Sequence, residues 1–242
     1  GSGYGSQLGL NINEPTSSTA RYEIRDRIAG TLNWDHKFFG DYSTSVGLFY
    51  EGRSGRPYSY IFSRDANGDS RTFNDLFYVP AGPGDVLFGS FTTTAAPGRP
   101  VGTFVPNAAM EQAFWNWMGT QTDLQAYRGQ VAPENGFRAN WVNTFDIRIS
   151  QELPGFFKGH KSQIWLDIIN VGNLINKDWG HIYDYGFFAN QRVATLSGID
   201  NNGKYVYNFS NPDAPTIANG DADGFNQGVS QWSLQVGFRY QF

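Results

Sequence analysis

Residues Gln231 to Phe242 alternate without a break. Trp232, Leu234, Val236, Phe238, Tyr240 and Phe242 are large and apolar, whereas Gln231, Ser233, Gln235, Gly237, Arg239 and Gln241 are polar or small. A period of two marks a strand with one apolar and one polar face. Twelve alternating residues also exceed the roughly five or six usual in globular sheets. Strands that cross a bilayer need about ten tilted residues, with lipid-facing and lumen-facing side chains alternating and aromatics at both rims. The last strand of a soluble sandwich alternates too, so this stretch narrows the fold to two alternatives.

Composition limits how such a chain could cross a membrane. No apolar run approaches the roughly 18 residues of a membrane helix, so any crossing falls to strands. A mean hydropathy of -0.44 is compatible with that, because half of each barrel strand and every outer loop is polar. With no Cys there is neither a disulfide framework nor a thiolate metal site. A net charge of -4 argues against a nucleic-acid partner, which favours basic stripes. The chain opens Gly1-Ser2-Gly3 without an initiator Met or signal peptide, which leads to the expectation of a processed, truncated or partial chain.

Residues 1–19 are rich in Gly, Ser and Asn and read as loop. From Arg21 an alternation places Tyr22, Ile24, Ile28, Leu32 and Trp34 on one face and Arg21, Glu23, Arg25, Arg27, Thr31 and Asn33 on the other. After a turn over Asp35–Asp41, a second span carries Tyr42, Thr44, Val46, Leu48 and Tyr50 opposite Ser43, Ser45, Gly47, Glu51 and Arg53. A long excursion follows that holds seven of the eleven prolines. Within it, Asn107 can cap a helix whose Met110, Ala113, Phe114, Trp117 and Met118 share a face, closed by Gly119. Regularity returns at Trp141, with Phe145, Ile147 and Ile149 opposite Asp146, Arg148 and Ser150. The turn Pro154–Gly159 leads to a fourth span, in which Ile164, Leu166 and Ile168 alternate with Gln163, Trp165 and Asp167. A second excursion holds a hairpin, Arg192–Ile199 with Lys204–Phe209, before the closing strand.

Connections thus alternate short and long, as in outer-membrane barrels with brief inner turns and extended outer loops. With the short turns at the bottom, Trp34, Tyr42, Tyr240 and Phe242 fall near one rim and Tyr22, Tyr50, Trp141 and Trp232 near the other. The pattern predicts an all-β fold: an antiparallel transmembrane β-barrel of which the chain is a C-terminal arc of about five spans. Residues 59–138 and 178–230 are then long extracellular loops of one domain, with one short loop helix. An odd number of spans cannot close a single-chain bacterial barrel, so an N-terminal remainder of the barrel is expected, unless the loop hairpins hide further spans.

Several segments then resemble one family. Asn170-Val171-Gly172-Asn173-Leu174-Ile175-Asn176-Lys177-Asp178-Trp179-Gly180 resembles the penultimate-strand motif of TonB-dependent outer-membrane receptors. Gln235–Phe242 resembles the terminal strand that the barrel-assembly machinery recognises, which makes Phe238, Tyr240 and Phe242 an assembly signal. Arg53–Tyr60, Asn74–Pro80 and Gly136-Phe137-Arg138 are similar to the Oar-like branch. The resemblance implies a 22-strand barrel in the outer membrane of a Gram-negative bacterium, which takes up substrate with energy from TonB through a plug domain. No TonB box or plug is visible in this sequence, and the family supplies no catalytic residues.

Candidate sites are few. Arg25, Arg27, Glu51, Arg53, Asp146, Arg148, Asp167 and Arg239 are expected to face the lumen, where they could contact a plug or line a path, or simply pair across neighbouring strands. Asp65, Asn67 and Asp69 have the spacing that opens a calcium loop, but Ser70 and Leu76 stand where such a loop has Gly and Glu. Asp221-Ala222-Asp223-Gly224 is similarly suggestive, and ordinary turn chemistry explains both. Trp115 and Trp117 are the best candidates for stacking on sugar or aromatic ligands, although the helix stripe also suits packing. His36, His160 and His181 lack metal-ligand spacing, and no nucleophile context is present, so neither a resident cofactor nor an enzyme is expected. Two other readings stand beside the receptor fragment: a soluble β-rich carbohydrate-binding module, and a small autonomous outer-membrane barrel.

Overall fold

The computed structural model describes residues 8–11, 17–95, 97–182, 189–209 and 227–242. Along the chain run β1 (Arg27–Phe39), β2 (Tyr42–Arg53), β3 (Pro57–Phe62), β4 (Tyr78–Val79), β5 (Leu87–Phe91) and β6 (Phe104–Pro106). Then come α1 (Ala108–Thr120), β7 (Gln130–Val131), β8 (Phe137–Arg138), β9 (Val142–Pro154), β10 (Lys161–Ile169) and α2 (Val171–Ile175). The chain ends with β11 (Asn190–Ile199), β12 (Tyr205–Asn208), α3 (Gln227–Ser230) and β13 (Ser233–Gln241). Strands dominate and helices are few, so the fold is all-β. Two compact units divide the chain: Gly1–Glu23, Pro57–Arg138 and Tyr185–Ala222 form one, and Ile24–Arg56, Ala139–Asp184 and Asp223–Phe242 the other.

The second unit is a five-stranded antiparallel sheet in the order β1-β2-β9-β10-β13. Its strands of 13, 12, 13, 9 and 9 residues coincide with the five predicted spans, with shifted ends. The first starts at Arg27 rather than Arg21. Pairing stops at a reciprocal contact, where Asp26 N–H donates to Ser54 Oγ (3.2 Å) and Ser54 N–H to the Asp26 carbonyl (2.9 Å). At its other end β1 runs through most of the expected turn to Phe39, and only Gly40 and Asp41 turn, with Gly40 at φ +61°. Trp34, His36 and Phe38 line one face of this extension, with Trp34 stacked on His36 at 5.7 Å and His36 edge-on to Phe38 at 4.5 Å. Among the described residues the sheet stays open, since β1 pairs only with β2 and β13 only with β10.

The first unit holds a six-stranded mixed sheet, β6-β5-β12-β11-β3-β8, and the pair β4-β7. Where loops are expected over 59–138 and 178–230, the structure has a buried core. Phe62, Phe77, Phe88, Phe114, Tyr207 and Phe209 are each 0–3 % exposed and meet mostly edge to face. Such pairs add about 0.5–1.5 kcal/mol each beyond the area they bury. Helix α1 forms as predicted: Asn107 Oδ1 accepts the Met110 N–H at 3.0 Å, and Phe114, Trp117 and Met118 turn inward. Gly119 does not close it, because the helix continues through Thr120 and ends where Gln121 N–H reaches the Met118 carbonyl. The predicted hairpin is present as β11 and β12, with a register shift between Leu196 and Gly198.

Candidate functional site

The register of the five-stranded sheet decides which side chains share a face. Arg27, Thr31 and Asn33 of β1 lie opposite Arg53, Phe49 and Gly47 of β2, which in turn face Val142, Asp146 and Arg148 of β9. Arg148 pairs with Asp167, and Asp167 with Gln235. One face is therefore polar across all five strands. It borders a concavity of about 660 Å³, whose lining includes Asn33, Asp35, Ser45, Arg148, Asp167 and Gln235.

The opposite face is apolar, and many of its large side chains are exposed, whereas Val46, Leu48, Ile147, Leu166 and Ile168 are half-buried. Leu32 is 68 % exposed, Val236 63 %, Ile28 and Phe238 60 %, and Leu234 52 %. Soluble monomers rarely expose apolar patches beyond a few hundred Å². This face is rimmed by aromatics at opposite strand ends. Tyr50 and Phe145 stand 4.8 Å apart at one end, and Tyr50 Oη and Trp141 Nε1 both donate to Asn143 Oδ1. At the other end Phe156 stacks on Tyr240 at 5.5 Å, and His160 Nδ1 lies 2.7 Å from Tyr240 Oη.

On the polar face most of the expected charges are paired. Arg148 Nε and Nη2 donate to the two Asp167 oxygens at 2.5 and 2.6 Å, a bidentate bond across β9 and β10. Arg27 Nε meets Glu51 Oε1 at 2.8 Å across β1 and β2. Asp146 Oδ1 accepts the backbone N–H of Asn170 at 2.8 Å, which makes it a strand-end anchor. Arg25 lies outside the strand and pairs with its neighbour Asp26 at 2.9 Å. Arg21 and Glu23, also expected on this face, instead meet Glu134 and Arg138. Arg53 and Arg239 remain without an ion pair among the described residues. Trp165 shares the face, where its indole covers Gly237 so closely that a Cβ there would overlap the ring. Of the terminal aromatics, Phe238 and Phe242 are exposed and Tyr240 is half-buried.

The Asn170–Gly180 segment ties the strand ends together. Asn170 adopts a left-handed backbone (φ 54°), is 2 % exposed, and donates from Nδ2 to the carbonyls of Gly180 (2.9 Å) and Ser230 (2.7 Å). Asn173 donates to the carbonyls of Lys177 and Trp179 and accepts the Trp232 N–H at 3.3 Å. Gly180, at φ +66°, leaves room for the Asn170 amide. Asn suits such positions because its amide both tolerates left-handed backbone and bonds nearby carbonyls.

The tryptophans proposed for stacking sit elsewhere. Trp117 is 6 % exposed inside the first unit's core, so its ring is not available to a ligand. Trp115 is half-buried, with the Arg128 guanidinium 5.8 Å from its ring. Asp65, Asn67 and Asp69 all accept backbone N–H groups within their own loop. Asp221–Gly224 lies outside the described residues. Among the described residues, no three His, Cys, Asp or Glu side chains are grouped as a metal centre. Sequence reasoning passed over Asp75, a fully buried carboxyl, because nothing in its neighbours' pattern announces burial. Comparison with known protein families, with curated proteins and with solved structures gave no match for this chain.

Proposed function

We propose that the five-stranded sheet crosses the outer membrane as an arc of a larger β-barrel, and that the chain is part of a TonB-dependent receptor of the Oar-like kind. One observation carries the membrane reading: five antiparallel strands of 9–13 residues expose a row of large apolar side chains on one face and turn a charged face towards a concavity. Hydrocarbon is the solvent such a face suits, and 9–11 tilted residues match its thickness. The aromatics at the two strand ends suit the membrane interfaces. The receptor reading is supported by the motif at Asn170–Gly180 and the terminal strand. Arg53 and Arg239, which lack ion pairs among the described residues, are then the basic groups free to meet a plug.

The chain contains no Cys, so single cysteines can be placed along β13 and spin-labelled in the native membrane. Labels at Leu234, Val236 and Phe238 should be accessible to oxygen and shielded from a water-soluble nickel chelate, and labels at Gln235 and Arg239 the reverse. Chelate access to both sets would remove the membrane reading. Cysteines at Arg53 and Arg239 that fail to crosslink to any plug segment would leave a barrel without the receptor role.

A further inference from the structure

The second unit has a cavity that the transport reading does not use. Its volume is about 590 Å³, and its lining includes Tyr50, Trp141, Phe145 and Trp179 together with Asn143 and Asp178. That size suits a small molecule, and all six residues belong to the one unit.

Three of the rings come from the sheet. Tyr50 and Phe145 are paired across β2 and β9, with centroids 4.8 Å apart. Trp141 immediately precedes β9. A Cβ added to Gly52 would overlap the Tyr50 hydroxyl and lie 3.3 Å from the Trp141 ring, so both rings close over that glycine. Tyr50 Oη and Trp141 Nε1 donate to the same oxygen, Asn143 Oδ1, at 2.9 and 3.0 Å. The shared acceptor fixes both rings and occupies their donors, so what they offer a ligand is mainly π surface.

The fourth ring comes from the loop after α2. Trp179 N–H donates to the Asn176 carbonyl at 2.9 Å, and its own carbonyl accepts from Asn173 Nδ2 at 3.0 Å. Asp178 N–H is held by Asn176 Oδ1 at 3.0 Å, and His181 Nε2, also on the cavity wall, donates to the Lys177 carbonyl at 2.8 Å. The loop therefore presents Trp179 and Asp178 from a backbone that is already fixed. Asp178 is exposed, and among the described residues its carboxylate has neither a hydrogen bond nor an ion pair. Among the described residues no Lys or Arg lines the cavity. Aromatic belts at membrane interfaces account for rings at strand ends, but not for a loop-held ring beside an unpaired carboxylate.

The faces of aromatic rings are negative, so the rings and the carboxylate favour the same sign of ligand. An anion would be repelled by Asp178. A sugar would call on several donors, and two of the rings have spent theirs on Asn143. We propose that this cavity binds a small organic ammonium ion of the quaternary or methylated-amine class. Tyr50, Trp141, Phe145 and Trp179 form its cage, and Asp178 supplies the counter-charge. The inference does not rest on the transport reading, because a sheet of any function could carry the site. The ion can come free in solution or as the headgroup of a zwitterionic lipid, with the same chemistry at the rings.

The full chain, in a maltoside detergent that carries no ammonium group, is titrated with choline chloride by calorimetry. Dimethylbutanol, the neutral tert-butyl isostere of choline, is the control at equal ionic strength. Choline should bind saturably and about tenfold more tightly than the isostere. Trp179→Ala removes an exposed ring, so the chain should fold normally and lose affinity about 2- to 30-fold. Trp179→Phe should recover part of that loss. Asp178→Asn should weaken binding about two- to fivefold, an effect that added salt removes. Vesicles separate the two sources. A lipid headgroup in the site would abolish choline binding in phosphatidylcholine vesicles and leave it in phosphatidylglycerol vesicles, whereas a free ion would bind in both. A folded chain that takes up no choline overturns the proposal, as do equal affinity for the isostere and undiminished binding in both Trp179→Ala and Asp178→Asn. None of these outcomes bears on the lipid-facing side, which the spin labels test separately.

Discussion

Val236→Arg tests what covers the apolar face. Val236 pairs with Leu166, Leu166 with Ile149, Ile149 with Val46 and Val46 with Trp34, so an apolar row crosses all five strands at this level. In hydrocarbon, Arg at mid-depth on a barrel's lipid face costs about 2–4 kcal/mol. That lowers the folding equilibrium constant roughly 30- to 700-fold, at 1.4 kcal/mol per factor of ten. On a face that meets water, the same change falls within about 0.5 kcal/mol of zero. Under a packed protein layer it would exceed about 4 kcal/mol, because an unpaired charge would be buried. Gln235→Arg, one residue away on the polar face, is the control and should cost less than about 0.5 kcal/mol. Urea titrations of the chain in lipid vesicles, read by heat-modifiable gel mobility, separate these outcomes. Equal effects of the two substitutions would falsify the assignment of a lipid-facing side.

Other consequences follow from individual contacts. Asn170→Ala removes the donors to the buried Ser230 carbonyl and the part-buried Gly180 carbonyl. At about 1–3 kcal/mol for a buried group that loses its donor, the loss should reach about 1–3 kcal/mol in denaturant titration. Phe114→Ala empties a fully buried site ringed by Phe77, Phe88, Trp117, Tyr207 and Phe209, and should cost about 3–5 kcal/mol, with loss of near-ultraviolet circular dichroism. The raised carboxyl of Asp75 gives a pH dependence. Between the unfolded value near 3.8 and the higher folded value, the folded state holds more protons, so stability should fall as pH rises through that window. Asp75→Asn should flatten this slope in thermal scans at graded pH.

The five long strands were legible because alternation persists for 9–13 residues. Parity alone placed Arg27, Glu51, Asp146, Arg148, Asp167 and Arg239 on the same face. What each charge does was not legible, because it depends on register between strands. Arg148 meets Asp167 only because the turn after Pro154 sets them opposite. The first unit escaped notice for the converse reason. Its strands are mostly 2–6 residues, too short for a period to register, and its sheet joins distant segments in parallel, Ser59 with Asn190 and Leu87 with Val206. Turn-rich, proline-punctuated sequence can build such a core, since buried strands need no alternation. The helix stripe was readable, but whether Trp117 looked outward or into that core was not.

The open edges bear on the proposed arc. Among the described residues, β1 and β13 each present one unpaired row of N–H and C=O groups, along 13 and 9 residues. In water such edges are tolerable when short, charged or covered. In hydrocarbon each unsatisfied group costs several kcal/mol, and only closure removes the cost. On the proposed membrane reading, an apolar face in lipid and unpaired edges are reconciled by further strands that pair with β1 and β13. The exposed face and the open edges therefore make the same demand, and a sheet that met neither requirement would attract other strands and aggregate.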